Sequence, residues 1–326
     1  MKLVISINIS PLLSNKAIFK TYPKSKDFSA TKIMTKDIID PKVYDLYDDY
    51  CHTQMTRRDF LSKATQLTVV SGSALAMAEA LLPRYAEANT ISFTDKRIKA
   101  RYVEYDSSGG TSGKMRGYLV RPAAEGPFPS VLVVHENRGL NPYIEDVARR
   151  AAVEGFLVLA PDGLSPIGGY PGNDDEGKVM QKSLDKAKLF TDILNSAKFL
   201  KGHELSNGKL GATGFCYGGL VVNKLAVIMV ADLNAGVPFY GRTPALEDVT
   251  RIQAPLMLQY AENDPRVNAT REGYRKALET NNKNFVMYTY EGTRHGFHNN
   301  STPRYNEAQA KVAWERTMSF LKKHLS

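Results

Sequence analysis

Residues 209–219 read Lys-Leu-Gly-Ala-Thr-Gly-Phe-Cys-Tyr-Gly-Gly, a β-prone run that leads into a glycine-rich turn and then an apolar helical stretch. Gly214 and Gly218 flank Cys216 in the spacing Gly-x-nucleophile-x-Gly, where a tight strand-to-helix turn leaves no room for side chains beside a strained nucleophile. The N-terminus of the following helix favours a thiolate at Cys216. The stretch predicts a reactive cysteine on a strand–turn–helix. The alternative is a glycine-rich turn whose cysteine is a small buried hydrophobe.

Short apolar strands alternate with helical stretches from residue 91 to the end of the chain. Strands that are apolar throughout are typical of parallel strands covered on both faces. The predicted strands are 101–105, 117–120, 131–134, 157–160, 209–213, 256–260 and 285–290, and the predicted helices are 144–153, 178–199, 219–230, 270–280 and 305–325. We therefore expect one doubly wound α/β domain, with a mostly parallel sheet, over residues 91–326.

Two further polar residues follow strands, at the carboxyl ends where such sheets place their chemistry. Asp264 follows the strand 256–260, and His295 follows the last strand beside a glycine. An acid before proline is also common in ordinary turns. The chain order of nucleophile, acid and histidine is nevertheless that of α/β-hydrolases. Three such residues at three strand ends favour one catalytic site.

The region 95–326 resembles the dienelactone hydrolase family. Besides the cysteine elbow, the resemblance is carried by Val133-Val134-His135-Glu136, Leu159-Ala160-Pro161-Asp162 and Val237-Pro238-Phe239-Tyr240-Gly241. It implies an α/β-hydrolase fold and a triad of Cys216, His295 and Asp264, in which His295 moves a proton and Asp264 holds the imidazole. The implied activity is hydrolysis of a small ester or lactone through an acyl-enzyme on the cysteine.

The resemblance also implies a role for Glu136, which in the family pairs with the resting thiol and changes partner when substrate arrives. A carboxylate beside a thiol disfavours a second negative charge and so keeps the thiol protonated. The alternative is an ordinary acid of a surface loop. The backbone N–H groups of Tyr217 and Asn137 are expected to form the oxyanion hole.

The substrate pocket departs from the family pattern. Family members that act on dienelactone hold its carboxylate with arginines, one in the loop region after the fourth-type strand and one shortly past the histidine. Here residues 163–182 contain no arginine, and Asn299 stands four positions after His295, so an anionic lactone is not expected as the natural substrate. The candidate pocket residues, each also readily explained as a surface or packing residue, are Arg138, Tyr170, Tyr240 and Arg242.

No metal or cofactor is expected. The candidate metal group is His295 with His298 and Asp174 or Asp175, but two histidines three residues apart on a loop do not make a closed ligand set. The sequence has no glycine-rich phosphate loop and no dinucleotide fingerprint. The expected partner is therefore a small-molecule ester or lactone, bound by a monomer or homodimer.

Nucleic acid and membrane-spanning functions are disfavoured. The net charge is +9, but residues 1–33 hold six lysines against one acid, and the rest of the chain is closer to neutral without a Lys/Arg block. No run approaches the ~18 apolar residues of a membrane-spanning helix.

The N-terminal region divides into an extension over 1–55 and a second segment over 56–90. The extension is expected to be disordered over 1–33 and to form a short amphipathic helix over 41–50. The segment Thr56-Arg57-Arg58-Asp59-Phe60-Leu61-Ser62-Lys63 resembles a twin-arginine export signal, and the alternative is a helix capped by Thr56. The protein is then cytoplasmic, or periplasmic if the signal functions. Residues 1–90 are expected to be dispensable for catalysis.

Two other functions stay open. One is a broader carboxylesterase, and the other is a non-catalytic binding protein or thiol redox protein on a hydrolase fold. The complete set of Cys216, Asp264 and His295 argues against the second, because inactive relatives of an enzyme usually lose at least one such residue.

Overall fold

The computed structural model describes residues 39–53, 55–67 and 73–326. The disordered arm expected over residues 1–33 lies outside the described residues. Residues from Ile39 onward form one compact unit. Its strands are β1 (Ile98–Ser107), β2 (Gly113–Pro122), β3 (Phe128–Val134), β4 (Leu157–Pro161), β5 (Ser206–Phe215), β6 (Ala235–Phe239), β7 (Leu256–Asn263) and β8 (Phe285–Arg294).

The helices cover both faces of this sheet and extend N-terminally beyond it. They are α1 (Pro41–His52), α2 (Arg57–Thr65), α3 (Ala74–Ala80), α4 (Pro142–Val153), α5 (Asp174–Ser183), α6 (Lys186–Lys201), α7 (Tyr217–Met229), α8 (Pro265–Asn268), α9 (Arg271–Thr280) and α10 (Glu307–Leu325). Within the described ranges, none of these helices is both long and apolar enough to cross a membrane.

All eight strands form one sheet in the order β1-β2-β4-β3-β5-β6-β7-β8. The pairs β1–β2 and β2–β4 are antiparallel, and the remaining pairs are parallel. Successive residues of β3 alternate between two cores, with Val131 and Val133 in one and Leu132 and Val134 in the other. The predicted α/β fold with a mostly parallel sheet is confirmed.

Strand β6 and the helices α5 and α6 differ from the sequence prediction, and the short helices α3 and α8 were not predicted. Strand β6 was not predicted, because Gly236 and Pro238 both disfavour strands although β6 lies inside the sheet. The single helix predicted over 178–199 is two helices, α5 and α6. Asp185 separates them, since its carboxylate accepts hydrogen bonds from the N–H groups of Ala187 and Lys188 and caps a new helix.

The N-terminal helices have a hydrophobic cluster of their own, centred on Tyr47, Tyr50 and Phe60. The helix predicted over 41–50 is confirmed as α1. Helix α2 begins with a reciprocal capping box between Thr56 and Asp59. The capped helix is therefore present, while the twin-arginine interpretation and the domain boundaries at 55 and 90 stay predictions.

Candidate active site

The turn between β5 and α7 holds Cys216 in a strained backbone conformation. Its φ of 57° and ψ of −108° lie outside the favoured regions for a residue with a side chain. A Cβ on Gly214 would come 2.5 Å from the carbonyl oxygen of Gly218, and one on Gly218 would come 2.2 Å from that of Val134. Both positions therefore require glycine, and the predicted elbow is present.

Asp264 and His295 meet beyond the ends of β7 and β8. Nδ1 of His295 lies 2.5 Å from Oδ2 of Asp264, and the two residues are only 5% and 2% exposed. Nε2 of His295 is buried and has no hydrogen-bond partner among the described residues. The Cys216 sulfur and a ring nitrogen of His295 lie within 4.8 Å of each other. The structure thus brings together the three residues predicted from the strand ends.

Charges at this site favour an ion pair between thiolate and imidazolium. Burial is the largest single effect and opposes ionisation of Cys216, but His295 and His52 together outweigh it and hold the pKa of the thiol well below its usual range. Burial likewise opposes the charge of His295, but the charges of Cys216 and Asp264 raise the pKa of the imidazole to about 10. Burial opposes the charge of Asp264 too, but the charge and hydrogen bond of His295, with the N–H of Val267 and the charge of Arg266, together lower the pKa of Asp264.

His52, the last residue of α1, also reaches the thiol. Its Nε2 lies 3.7 Å from Sγ of Cys216, and its ring centroid lies 4.8 Å from that of His295. Arg266 places Nη2 2.7 Å from the same Nε2, while Nδ1 of His52 lies 2.8 Å from the carbonyl oxygen of Asp48. Burial lowers the pKa of His52, but the hydrogen bond to Asp48 and the Cys216 thiolate raise it overall.

Sequence reasoning missed His52 completely. It lies 164 residues before Cys216, and no recognisable catalytic motif surrounds it. The one signal was the amphipathic pattern of 41–50, which indicated that this helix packs on something without showing what.

The end of α1 is attached beside the elbow by the two residues that precede His52. The carbonyl oxygen of Cys51 accepts a hydrogen bond of 2.9 Å from Nδ2 of Asn137. The hydroxyl of Tyr50 donates to the carboxylate of Asp175. Nζ of Lys178 donates to the carbonyl oxygen of Tyr50 at 2.7 Å. These bonds attach α1 to the loop after β3 and to α5.

Glu136 is buried, being 7% exposed, so the alternative of a surface loop acid is wrong. Its Oε2 accepts a hydrogen bond of 3.3 Å from Nδ2 of Asn299. Burial raises the pKa of Glu136, Arg138 opposes this, and the Cys216 charge adds to it. Among the hydrogen bonds of the described residues, the thiol contacts His52 rather than Glu136. A guarding role for Glu136 stays a prediction.

The two expected oxyanion donors lie on either side of the nucleophile. Tyr217 is the first residue of α7, so its N–H is one of those without a partner inside the helix. Asn137 lies in the loop after β3, where its side chain binds the carbonyl of Cys51. Their roles as oxyanion donors stay predictions.

The four candidate pocket residues have different surroundings. Arg138 is buried and pairs with Asp174 at 2.7 Å, and the hydroxyl of Tyr170 donates to the same carboxylate at 3.0 Å. Tyr240 is buried with its ring centroid 4.9 Å from that of His295. Arg242 is exposed. Tyr240 therefore lines the site, Arg138 and Tyr170 form a polar network beside it, and Arg242 has no described side-chain contact with it.

A second arginine near the site was missed from sequence. Arg304 lies over the ring of Tyr47 of α1, with its guanidinium carbon 4.7 Å from the ring centroid. The positive charge of Arg304 opposes the effect of burial on the pKa of Glu136. With Arg138, it supplies positive charge near the site from positions other than the two expected in the family.

His298 does not join His295 in a metal group. Its Nδ1 lies 2.8 Å from the hydroxyl of Tyr143, and its ring stacks on Phe215 at a centroid distance of 5.2 Å. Asp174 and Asp175 are occupied by Arg138 and Tyr50. The metal group considered from sequence is thus dispersed.

Comparisons with known proteins agree with this geometry. The Dienelactone hydrolase family matches residues 115–325, and a YqhI-like family matches residues 31–69. A "Putative hydrolase fragment YghX" from Escherichia coli (strain K12) is 58% identical over 114 residues, which cover 35% of this chain and 97% of the relative. A "Probable 2-oxo-3-(5-oxofuran-2-ylidene)propanoate lactonase" from Bradyrhizobium sp is 29% identical over 231 residues, covering 66% of this chain and 92% of the relative.

A solved structure also points to the dienelactone hydrolase family. The crystal structure of a putative dienelactone hydrolase from Klebsiella pneumoniae superposes with a TM-score of 0.60 at 26% sequence identity, covering 69% of this chain and 99% of that one. The sheet order and the position of the cysteine elbow fit the same fold. The chain therefore belongs to the dienelactone hydrolase family and is a hydrolase with the α/β-hydrolase fold.

Proposed function

We propose that the protein cleaves the carboxylic ester bond of small esters or lactones, with Cys216, His295 and Asp264 as its catalytic triad. The observation that carries this proposal is the orientation of His295. Asp264 holds Nδ1, which leaves the buried, unpartnered Nε2 near the thiol of Cys216. The lactonase name of the Bradyrhizobium relative supports lactones as one substrate class.

Acylation begins with attack of the Cys216 thiolate on the carbonyl carbon of the substrate. The carbonyl oxygen becomes an oxyanion, which the N–H groups of Tyr217 and Asn137 stabilise. The imidazolium of His295 then donates its proton to the departing alkoxide, the C–O bond breaks, and a thioester remains on Cys216. With a lactone, the released hydroxyl stays attached to the acyl group.

Deacylation uses the same residues with the proton moving in the opposite direction. Neutral His295 accepts a proton from water as the water oxygen attacks the thioester carbon. Collapse of the second tetrahedral intermediate breaks the C–S bond and releases a carboxylic acid and the thiolate. Asp264 stabilises the imidazolium that forms in each half-reaction.

The test uses p-nitrophenyl acetate and a panel of small lactones. We expect the wild-type protein to hydrolyse members of this panel and to lose activity after alkylation of Cys216 by iodoacetamide. In His295→Ala, deacylation is blocked, so mass spectrometry should find an acetyl group on the Cys216 peptide. Turnover that survives complete alkylation of Cys216 would overturn the proposed nucleophile. Alkylation without turnover on any ester would favour the thiol redox or binding alternative.

A further inference from the structure

Three side chains with metal-binding atoms converge at the elbow. The sulfur of Cys216 and one ring nitrogen each of His52 and His295 lie within 4.8 Å of one another. A thiolate with two imidazoles is a ligand set that Zn²⁺ favours. We propose that Cys216, His295 and His52 form a Zn²⁺-binding site, with its fourth position open to water. This inference concerns metal binding and does not require ester turnover.

The distances suit tetrahedral zinc after a small contraction. Zn–S bonds of about 2.3 Å and Zn–N bonds of about 2.0–2.1 Å place neighbouring ligand atoms roughly 3.3–3.6 Å apart. The Cys216 sulfur is already 3.7 Å from Nε2 of His52. His52 ends α1 and is followed by an extended Thr53, so it stands at a helix terminus, where a ligand can shift without disturbing the sheet.

Both histidines are oriented as zinc ligands usually are. A ligating histidine generally donates its other ring N–H to a carboxylate or a carbonyl, which fixes the tautomer with a free electron pair toward the metal. Nδ1 of His295 is held by Asp264 at 2.5 Å. Nδ1 of His52 lies 2.8 Å from the carbonyl oxygen of Asp48 and 3.3 Å from its carboxylate. Each Nε2 is thereby left for the metal.

The buried Nε2 of His295, which faces the Cys216 thiol in the proposed triad, is also available to a metal. His295 is 5% exposed, and this nitrogen has no hydrogen-bond partner among the described residues. A buried polar atom without a partner is unfavourable, and coordination of a metal would satisfy it.

Arg266 opposes metal binding. Its Nη2 lies 2.7 Å from Nε2 of His52 and donates to the electron pair that zinc would use. Its carboxylate partner Asp48 lies 3.7 Å away, and the arginine side chain is 27% exposed, so the guanidinium can turn outward while keeping that partner. Zinc then replaces Arg266 as the positive charge at Nε2 of His52.

Bound zinc would inactivate the Cys216 thiol as a nucleophile and would hold α1 in place. It takes the electron pairs of the Cys216 thiolate and of Nε2 of His295, and the proton that this pair shared is released to solvent. Neither group is then available as nucleophile or base. Because His52 supplies the third ligand, zinc also tethers α1 to the elbow.

The experiment measures zinc affinity in the full-length protein after removal of metals with EDTA. Zn²⁺ is titrated in competition with a chromophoric chelator, and Co²⁺ is used to detect a thiolate-to-metal charge-transfer band. We expect one tight zinc per chain and a cobalt band that is lost in Cys216→Ala. His52→Ala and His295→Ala should each weaken zinc by more than the ~10–100-fold that loss of an outer-shell partner costs.

Matched controls exclude adventitious binding and misfolding. Cys51→Ser and His324→Ala remove the other cysteine and a partly exposed histidine of α10, and both should bind zinc like the wild type. Arg266→Ala removes the competing cation and should bind zinc more tightly, a gain that misfolding does not produce. Zinc affinity unchanged by His52→Ala, or equal losses in Cys51→Ser and Cys216→Ala, would overturn the proposed site.

Discussion

Two regions of the molecule each bring an imidazole to Cys216. In the sheet, His295 is held by Asp264, and on α1, His52 is held by Asp48. The difference is in the anchoring. The side chain of Asp264 is 2% exposed, whereas that of Asp48 is 39% exposed on a helix whose apolar cluster is separate from the two cores of the sheet. From this difference we expect the sheet residues to carry catalysis and α1 to act as a cover over them.

The comparison predicts its largest effect for the sheet residues. Cys216→Ala should lower kcat by about 10⁶-fold and His295→Ala by nearly as much, whereas Asp264→Asn should cost about 10⁴-fold because the aspartate only orients and stabilises the imidazole. Steady-state kinetics on the best ester of the panel measures all three. Thermal unfolding should show Cys216→Ala close to wild type, since the strain at this residue serves reactivity rather than packing. Equal activity of Cys216→Ala and wild type would overturn the role of Cys216 as nucleophile.

The second prediction concerns pH. The thiol pKa is lowered by the histidines, so the thiolate should persist as pH falls below ~8.5, and alkylation of Cys216 by iodoacetamide should change little between pH 8 and pH 6.5. In His295→Ala the thiol pKa rises, and the rate should fall about tenfold per pH unit, up to ~30-fold between pH 8 and pH 6.5. Mass spectrometry of the Cys216 peptide separates this reaction from that of Cys51. The same steep pH slope in both proteins would mean that His295 does not hold the thiolate.

Ester turnover should also have an upper pH limit. The pKa of His295 is raised to about 10, so its imidazolium proton is retained as pH rises to that value and is lost above it. Ester turnover should therefore fall as pH passes through about 10, because the general acid of acylation disappears. Alkylation does not need this proton and should not fall in the same range.

The third prediction tests whether α1 restricts access to Cys216. A chain that begins at Pro83 lacks α1 to α3 but keeps Tyr85, which packs against a core of the sheet and donates to Asp174. Alkylation of Cys216 and ester turnover should both rise, by about tenfold if α1 leaves the thiol for only ~10% of the time. Circular dichroism and thermal unfolding verify that the shortened chain folds. His52→Ala in the full chain is the matched variant, since it removes the contact between His52 and the thiol but leaves helix α1 in place.

The outcome separates two roles for α1. A folded short chain with lower turnover would show that α1 contributes to the substrate pocket, contrary to the expectation that residues 1–90 are dispensable. Higher turnover would establish α1 as a cover that a substrate must displace.

The difference between these regions also explains what could be predicted from the sequence. The elbow follows from local sterics at Gly214 and Gly218, and Asp264 and His295 follow from the rule that parallel strands end at one edge of the sheet. His52 and Arg304 reach the site through tertiary packing of α1 and of the segment before α10. No local pattern encodes such packing. Strand β6 was missed for a related reason, since its neighbours β5 and β7 impose a conformation that Gly236 and Pro238 disfavour.

The smallest expected effect belongs to Glu136, which lies in the sheet region but was assigned its role only by resemblance. Burial is the main cause of the raised pKa of Glu136, and the charge of the Cys216 thiolate adds to it. Glu136→Gln removes the carboxylate charge and keeps an oxygen that can accept from Asn299, so the thiol should ionise more readily. Alkylation of Cys216 without substrate should become a few-fold faster, while ester turnover falls if Glu136 also serves the reaction. Glu262→Gln, which neutralises an exposed carboxylate near the end of β7, is the control and should change neither rate. Since alkylation reads the thiol alone, an equal or slower rate in Glu136→Gln would refute the guarding role and leave the histidines as the groups that set the state of Cys216.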